Sequence, residues 1–191
     1  MARALTIKNI YDKKHKTFAF DSIWQDVMGF PTISGIWLVF GEEKNGKTWF
    51  TLTLADYLSR FTKVLYISAE EGVEQEFIDS CKRANIEVKN KSLNFMEYID
   101  IEALSEKLSK PRAHKIVVLD NLTIYRDELK NGGLAKLKKD HPNVLFICVA
   151  HEEKNEPYTA TAKLAKRLAK IIVRVQGLAC FVSGRCPGGT L

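Results

Sequence analysis

The chain has 191 residues, 46% of them hydrophobic and 27% charged. That balance fits one globular domain with a buried core and excludes disordered or fibrous architectures. The net charge of +6 comes from 29 basic and 23 acidic side chains; residues 154–185 hold seven bases and one acid, Glu156, and the remainder balances at 22 against 22.

A local excess of this kind concentrates polyanions, which makes nucleic acid a candidate partner; a solvated helix face would carry the same charges. No apolar run approaches the length of a membrane span, and the first residues lack a secretory leader. The four cysteines, Cys81, Cys148, Cys180 and Cys186, form no C-x-x-C pair and have no histidine at zinc-finger spacing. Cys148 and Cys180 lie within apolar runs and read as reduced core residues. A cytoplasmic chain with no membrane partner is expected.

Along the chain, apolar runs alternate with amphipathic segments, the pattern of an α/β sheet with crossover helices. Residues 1–20, rich in lysine and aromatic side chains, read as a lead-in that packs on the core. Strands are predicted at 36–40, 63–68, 92–98, 115–119, 143–150, 171–175 and 178–182. Several are apolar at consecutive positions, as strands covered on both faces must be. Helices are predicted at 47–60, 73–84, 102–109, 134–139 and 161–170, the last from Leu164, Leu168 and Ile171 at steps of four and three. Turns fall at Asn131-Gly132-Gly133 and Pro187-Gly188-Gly189. The chain ends just after the second turn, where a returning strand would begin, so a piece of a longer protein is an open possibility. All 191 residues read as one domain.

The strongest signal is Gly41-Glu42-Glu43-Lys44-Asn45-Gly46-Lys47-Thr48, which fits G-x-x-x-x-G-K-[ST] between an apolar strand and an amphipathic helix. Backbone N–H groups curl around a phosphate only in a tight loop with glycine at its strained positions. Lys47 then reaches the β and γ phosphates, and the Thr48 hydroxyl ligates Mg²⁺. Glu42 and Glu43 beside a polyanion are unusual; their amides can face inward while their carboxylates face out. Farther on, Lys115-Ile-Val-Val-Leu-Asp120 is an apolar strand ending in an acid, where a carboxylate supporting Mg²⁺ belongs.

At Val64-Leu-Tyr-Ile-Ser-Ala-Glu70-Glu71-Gly72 the sequence resembles the RecA-like P-loop ATPases, in particular the RadA, KaiC and replicative-helicase branch. Phe20-Asp21-Ser-Ile-Trp-Gln-Asp-Val-Met-Gly29 and Ser34-Gly35 resemble the segment that leads into their first strand. The resemblance implies a mainly parallel β-sheet flanked by helices, with a C-terminal β-hairpin, that binds ATP and Mg²⁺. It makes Glu70, with Glu71 close behind, the base that orients water against the γ-phosphate. His151, after the strand 143–150, takes the place of the residue that senses the γ-phosphate. The segment 152–159 occupies the place of a DNA-contacting loop and leads into Lys163, Lys166, Arg167 and Lys170. Those four are spaced to share one helix face that could follow the phosphate backbone of single-stranded DNA. A solvated helix face stays open beside it. Arg185, in Phe181-Val-Ser183-Gly184-Arg185, matches the arginine of a Lys-x-Arg pair offered to a neighbouring subunit's nucleotide, with Ser183 at the lysine position. It implies a homo-oligomeric ring or filament.

The resemblance thus implies a DNA-coupled ATPase, helicase- or recombinase-related. The alternative is an ATP-dependent switch or assembly protein of the KaiC type. A small-molecule kinase shares the phosphate loop but needs an arginine-bearing lid, and Glu70-Glu71 favours water as acceptor.

Overall fold

The computed structural model describes residues 4–191. The apolar runs become the strands of one nine-stranded sheet. In chain order the elements are α1 (Ile7–Tyr11), α2 (Ser22–Met28), β1 (Gly35–Gly41), α3 (Lys47–Ser59), β2 (Val64–Ser68), α4 (Gln75–Arg83), β3 (Leu93–Met96) and α5 (Ile101–Ser109). Then come β4 (Ile116–Asp120), α6 (Gly133–Asp140), β5 (Leu145–Glu153), β6 (Glu156–Pro157), α7 (Ala160–Leu168), β7 (Ile171–Gln176), β8 (Ala179–Gly184) and β9 (Gly189–Thr190). The sheet order is β3-β2-β4-β5-β1-β7-β8-β9, with β6 paired to β5. β1 to β5 and β7 pair in parallel, and β8 and β9 return antiparallel, so the expected C-terminal hairpin is present and a short third strand extends it.

Two helix layers explain why β1, β2 and β4 are buried at every position. On one face α3, α4 and the lead-in cover Trp37, Val39, Tyr66 and Val118. On the other, α5, α6 and α7 cover Leu38, Leu65, Leu119 and Phe146. Cys148 and Cys180 are buried, as their apolar runs predict. Among the described residues no helix is long and apolar enough to cross a membrane.

The lead-in packs on the core only in part. Residues 4–17 are exposed, and no residue of α1 is buried; residues 1–3 of the lead-in lie outside the described residues. From Phe18 onward the chain is held by aromatic rings. Phe20 meets Tyr57 at 5.1 Å and Trp37 at 6.3 Å, and Trp24 stacks on Tyr57 at 5.1 Å. Edge-to-face and offset pairs of this kind add to the apolar burial.

The segment 152–159, expected as a loop, is instead a hairpin. β5 runs on through His151 to Glu153, turns at Lys154-Asn155, and comes back as β6. Both turn residues have positive φ, 53° and 66°, as a two-residue turn matched to the strand twist requires.

Candidate functional site

Parallel strands end together, and their carboxyl edge is where an open α/β sheet presents its ligand crevice. Here β1 ends at Gly41, and the register sets His151 of β5 directly beside it. On the other side of β5, β4 ends at Asp120, opposite Ser68 of β2. The chain leaving β2 is tied down at once: the amides of Ala69 and Glu70 both donate to the Asp120 carbonyl, at 2.7 and 3.3 Å. Four separate stretches of sequence thereby converge. Glu43 to Thr48, Glu70, Glu71, Asp120 and His151 line one cleft of about 340 Å³.

The loop has the shape its glycines permit. Gly46 caps α3 with φ of +85°, a left-handed conformation that favours glycine. A Cβ on Gly41 would stand 2.3 Å from the Val175 carbonyl oxygen, so β1 and β7 close only around a bare backbone. Gly41→Ala is expected to cost about 1–3 kcal/mol of folding stability by overpacking, read as a lower urea midpoint with unchanged slope. Glu42 and Glu43 are exposed, and of the two only Glu43 lines the cleft. Asn45 Oδ1 accepts from the Gly177 amide at 3.0 Å, which ties the loop to the β7–β8 turn.

The Lys47 ammonium is buried and donates to the Glu42 carbonyl at 2.5 Å. Burial pulls its pKa below the ordinary lysine value, and the charges of Asp120 and Glu70 oppose that shift. Asp120 is buried at the strand end, and desolvation raises its carboxyl to about 6. Tyr66, two residues before Ser68 on the neighbouring strand, donates its hydroxyl to Asp120 Oδ2 at 2.5 Å. Asp120 Oδ1 accepts no hydrogen bond from the described residues, and Asp120 lines the cleft, so this oxygen is left for a cation held from the cleft side. Contact with the His151 ring, when that ring is charged, keeps Glu70 below the usual carboxylate range, with Lys47 adding. Glu71 is pushed up by burial and by the charge of Glu70.

Sequence reasoning missed three features of this cleft. Asn121, 1% exposed, donates to Glu70 and, at 2.9 Å, contacts His151 Nε2. Tyr66 reads as an ordinary apolar strand residue. Trp49, Ser80 and Arg83 line the cleft from α3 and α4; the amphipathic pattern of α4 gives no sign of it.

Outside the cleft, the four cations expected on one helix face are separated. The helix stops at Leu168, not at 170, and Lys170 folds inward to donate to Thr32 Oγ1 and the Ser34 carbonyl at 2.6 and 2.8 Å. Lys166 is paired with Glu156 at 2.8 Å. Lys163 and Arg167 remain exposed. Arg174 forms a two-point bond to Glu152, at 2.6 and 2.9 Å. Arg185 follows β8, whose end Gly184 pairs with Ile171 at the start of β7. It therefore sits at the opposite end of the sheet from the phosphate loop and does not meet the cleft of its own chain.

No protein-family model matches the chain. It is 24% identical over 159 residues to the DNA repair protein RadA of Aquifex aeolicus, a match that covers 81% of this chain and 34% of that protein. The chain thus spans about a third of the length of this curated relative. Among solved structures, the flagellar accessory protein FlaH of Methanocaldococcus jannaschii superposes with a TM-score of 0.65 at 16% identity, covering 92% of this chain and 91% of that one. A second solved structure, the ATPase domain of another protein, superposes with a TM-score of 0.57 at 15% identity, covering 83% and 80%. Together these likenesses place the fold in the RecA-like P-loop ATPase superfamily.

Proposed function

We propose that this RecA-like P-loop chain binds Mg²⁺ and ATP, hydrolyses the nucleotide, and acts as an assembly of several copies that couples turnover to DNA. One observation carries the ATPase part: phosphate loop, Glu70, Asp120 and His151 come from four distant stretches and meet at one cleft. Lys47 and the loop amides would hold the phosphates, which compete for the ammonium that now bonds the Glu42 carbonyl. Thr48 and Asp120 would hold Mg²⁺, which characteristically binds through one or two side chains plus substrate phosphates and water. When bound, the ion neutralises charge on the phosphates. Glu70 orients water and takes up its proton, and His151, beside Gly41, reads the terminal phosphate.

The DNA part is supported by the likeness to a DNA repair protein and by Lys163 and Arg167 on the exposed side of α7. The assembly part is supported by Arg185, which lies at the far end of the sheet from its own chain's cleft and takes no part in it. A second function, a nucleotide-dependent switch, has its own support. Lys166 and Arg174 already hold acids of the hairpin, Lys170 is turned inward, and the likeness to a flagellar accessory protein covers most of the chain.

Steady-state ATP hydrolysis at low salt, with and without single-stranded DNA, separates the two. DNA is expected to raise turnover, and the double change Lys163→Glu, Arg167→Glu to abolish that rise while basal turnover stays within about twofold. Equal turnover with and without DNA in the unmodified chain would establish the switch. Absence of nucleotide binding would overturn both.

A further inference from the structure

Asn121 lies outside every motif in the sequence, yet it is the most enclosed polar side chain of the cleft, 1% exposed. Its backbone is fixed at the end of β4, where the next amide, Leu122, donates to the Val149 carbonyl of β5 at 2.8 Å. Its side chain is fixed as well. Oδ1 accepts from the Thr123 amide at 2.7 Å, and turning the group over would set Nδ2 against that N–H, donor against donor. Nδ2 therefore faces Glu70 Oε2 and His151 Nε2.

An amide nitrogen carries two hydrogens and accepts none. One is available to each neighbour, so a neutral His151 ring must accept at Nε2 and carry its own proton on Nδ1. Glu70 Oε2 and His151 Nε2 are 3.4 Å apart, a separation at which two acceptors repel unless a donor stands between them. Nδ1 is buried without a partner, so the assignment leaves its N–H without an acceptor, a cost weighed against the donor-against-donor contact that a proton on Nε2 would make with Asn121.

We propose that Asn121 is a positioning residue that clips Glu70 to His151 through one buried amide, fixing both the carboxylate that orients water and the Nδ1–H form of the ring. Oε2 of Glu70 is held by the clip, which leaves Oε1 to meet water. The catalytic half of this inference rests on the ATPase function proposed above; the ring-proton half stands on the geometry alone.

Two variants test it. Asn121→Asp keeps the shape and an oxygen for the Thr123 amide but removes the donor. In nucleotide-free, ¹⁵N-labelled protein at pH 8, the ring-nitrogen shifts of His151 are expected to report Nδ1–H in the unmodified chain. In Asn121→Asp they are expected to switch to Nε2–H, donated to the introduced carboxylate. Asn121→Leu removes the donor without adding charge, and is expected to lower kcat about tenfold or more while ATP affinity stays within about threefold. Nε2–H in the unmodified chain, or full kcat in Asn121→Leu, overturns the clip. If the unmodified chain hydrolyses no ATP, the ATPase function falls and the ring shifts alone decide the clip.

Discussion

Replacing Glu70 by glutamine is expected to slow ATP hydrolysis roughly a hundredfold or more, with nucleotide affinity within about threefold of the starting value. Glutamine preserves the shape and still accepts from Asn121, but it cannot take a proton from water. Glu70 makes no hydrogen bond to the phosphate loop, so binding survives. The neighbouring acid is the internal control. Contact with the His151 ring, when that ring is charged, holds Glu70 below the usual carboxylate range, whereas burial and the charge of Glu70 push Glu71 up. Environments that drive adjacent carboxyls apart assign them different duties, and Glu71→Gln is expected to retain most of the turnover. Single-turnover hydrolysis beside fluorescent-nucleotide binding checks both variants. A larger loss in Glu71→Gln than in Glu70→Gln would move the base by one residue.

Asp120→Asn is expected to stabilise the nucleotide-free protein above pH 6 while disabling it. Desolvation raises the folded-state carboxyl to about 6 from its ordinary 3.8. The folded chain then binds this proton more tightly than the unfolded chain, so the contribution is favourable below about pH 4 and is lost as pH rises through about 6. The difference amounts to something on the order of 3 kcal/mol. Asparagine carries no charge at any pH, and Tyr66 can still donate to it. Urea midpoints at pH 4.5 and 7.5 should therefore separate, with the variant gaining on the parent at the higher pH. Parallel pH curves would contradict the assignment. Saturating Mg²⁺ and ATP are expected to reverse the order, because only the parent gains fully from binding. On the function proposed above, the charge at this strand end is kept at a cost in stability.

The sheet was largely legible because β1, β2, β4 and β5 are apolar on both faces, as strands of a sheet sandwiched between helices are. β3 came out shorter than predicted, Leu93–Met96 against 92–98, since it is an edge strand with β2 as its one neighbour and little apolar burial to extend it. β6 has two residues and no apolar periodicity, and only the turn residue Asn155 hinted at it. α2 follows Asp21, a capping residue, and could have been read. The cleft was half legible. The phosphate loop and the strand-end acids carry fixed spacings, whereas Tyr66 and Asn121 acquire their partners from strand register and from a turn held by Thr123. Those are relations between segments 30 or more residues apart, or set by one backbone amide, which a linear pattern does not encode. The cation face failed for a related reason. Helical spacing predicts which side chains share a side, but not where the helix stops or which acids a neighbouring hairpin brings to it.

That hairpin has a thermodynamic consequence. Glu152 and Glu156 occupy Arg174 and Lys166 much as the phosphates of a polymer would, so the chain carries its own counter-ions. A polyanion arriving at α7 releases bound salt only from cations that are free beforehand; at the others it exchanges one carboxylate for one phosphate. With Lys163 and Arg167 free rather than four lysines and arginines, the logarithm of affinity for a single strand should fall against the logarithm of salt with a slope near −1.4 instead of about −2.8. Neutralising Glu152 and Glu156 would steepen it.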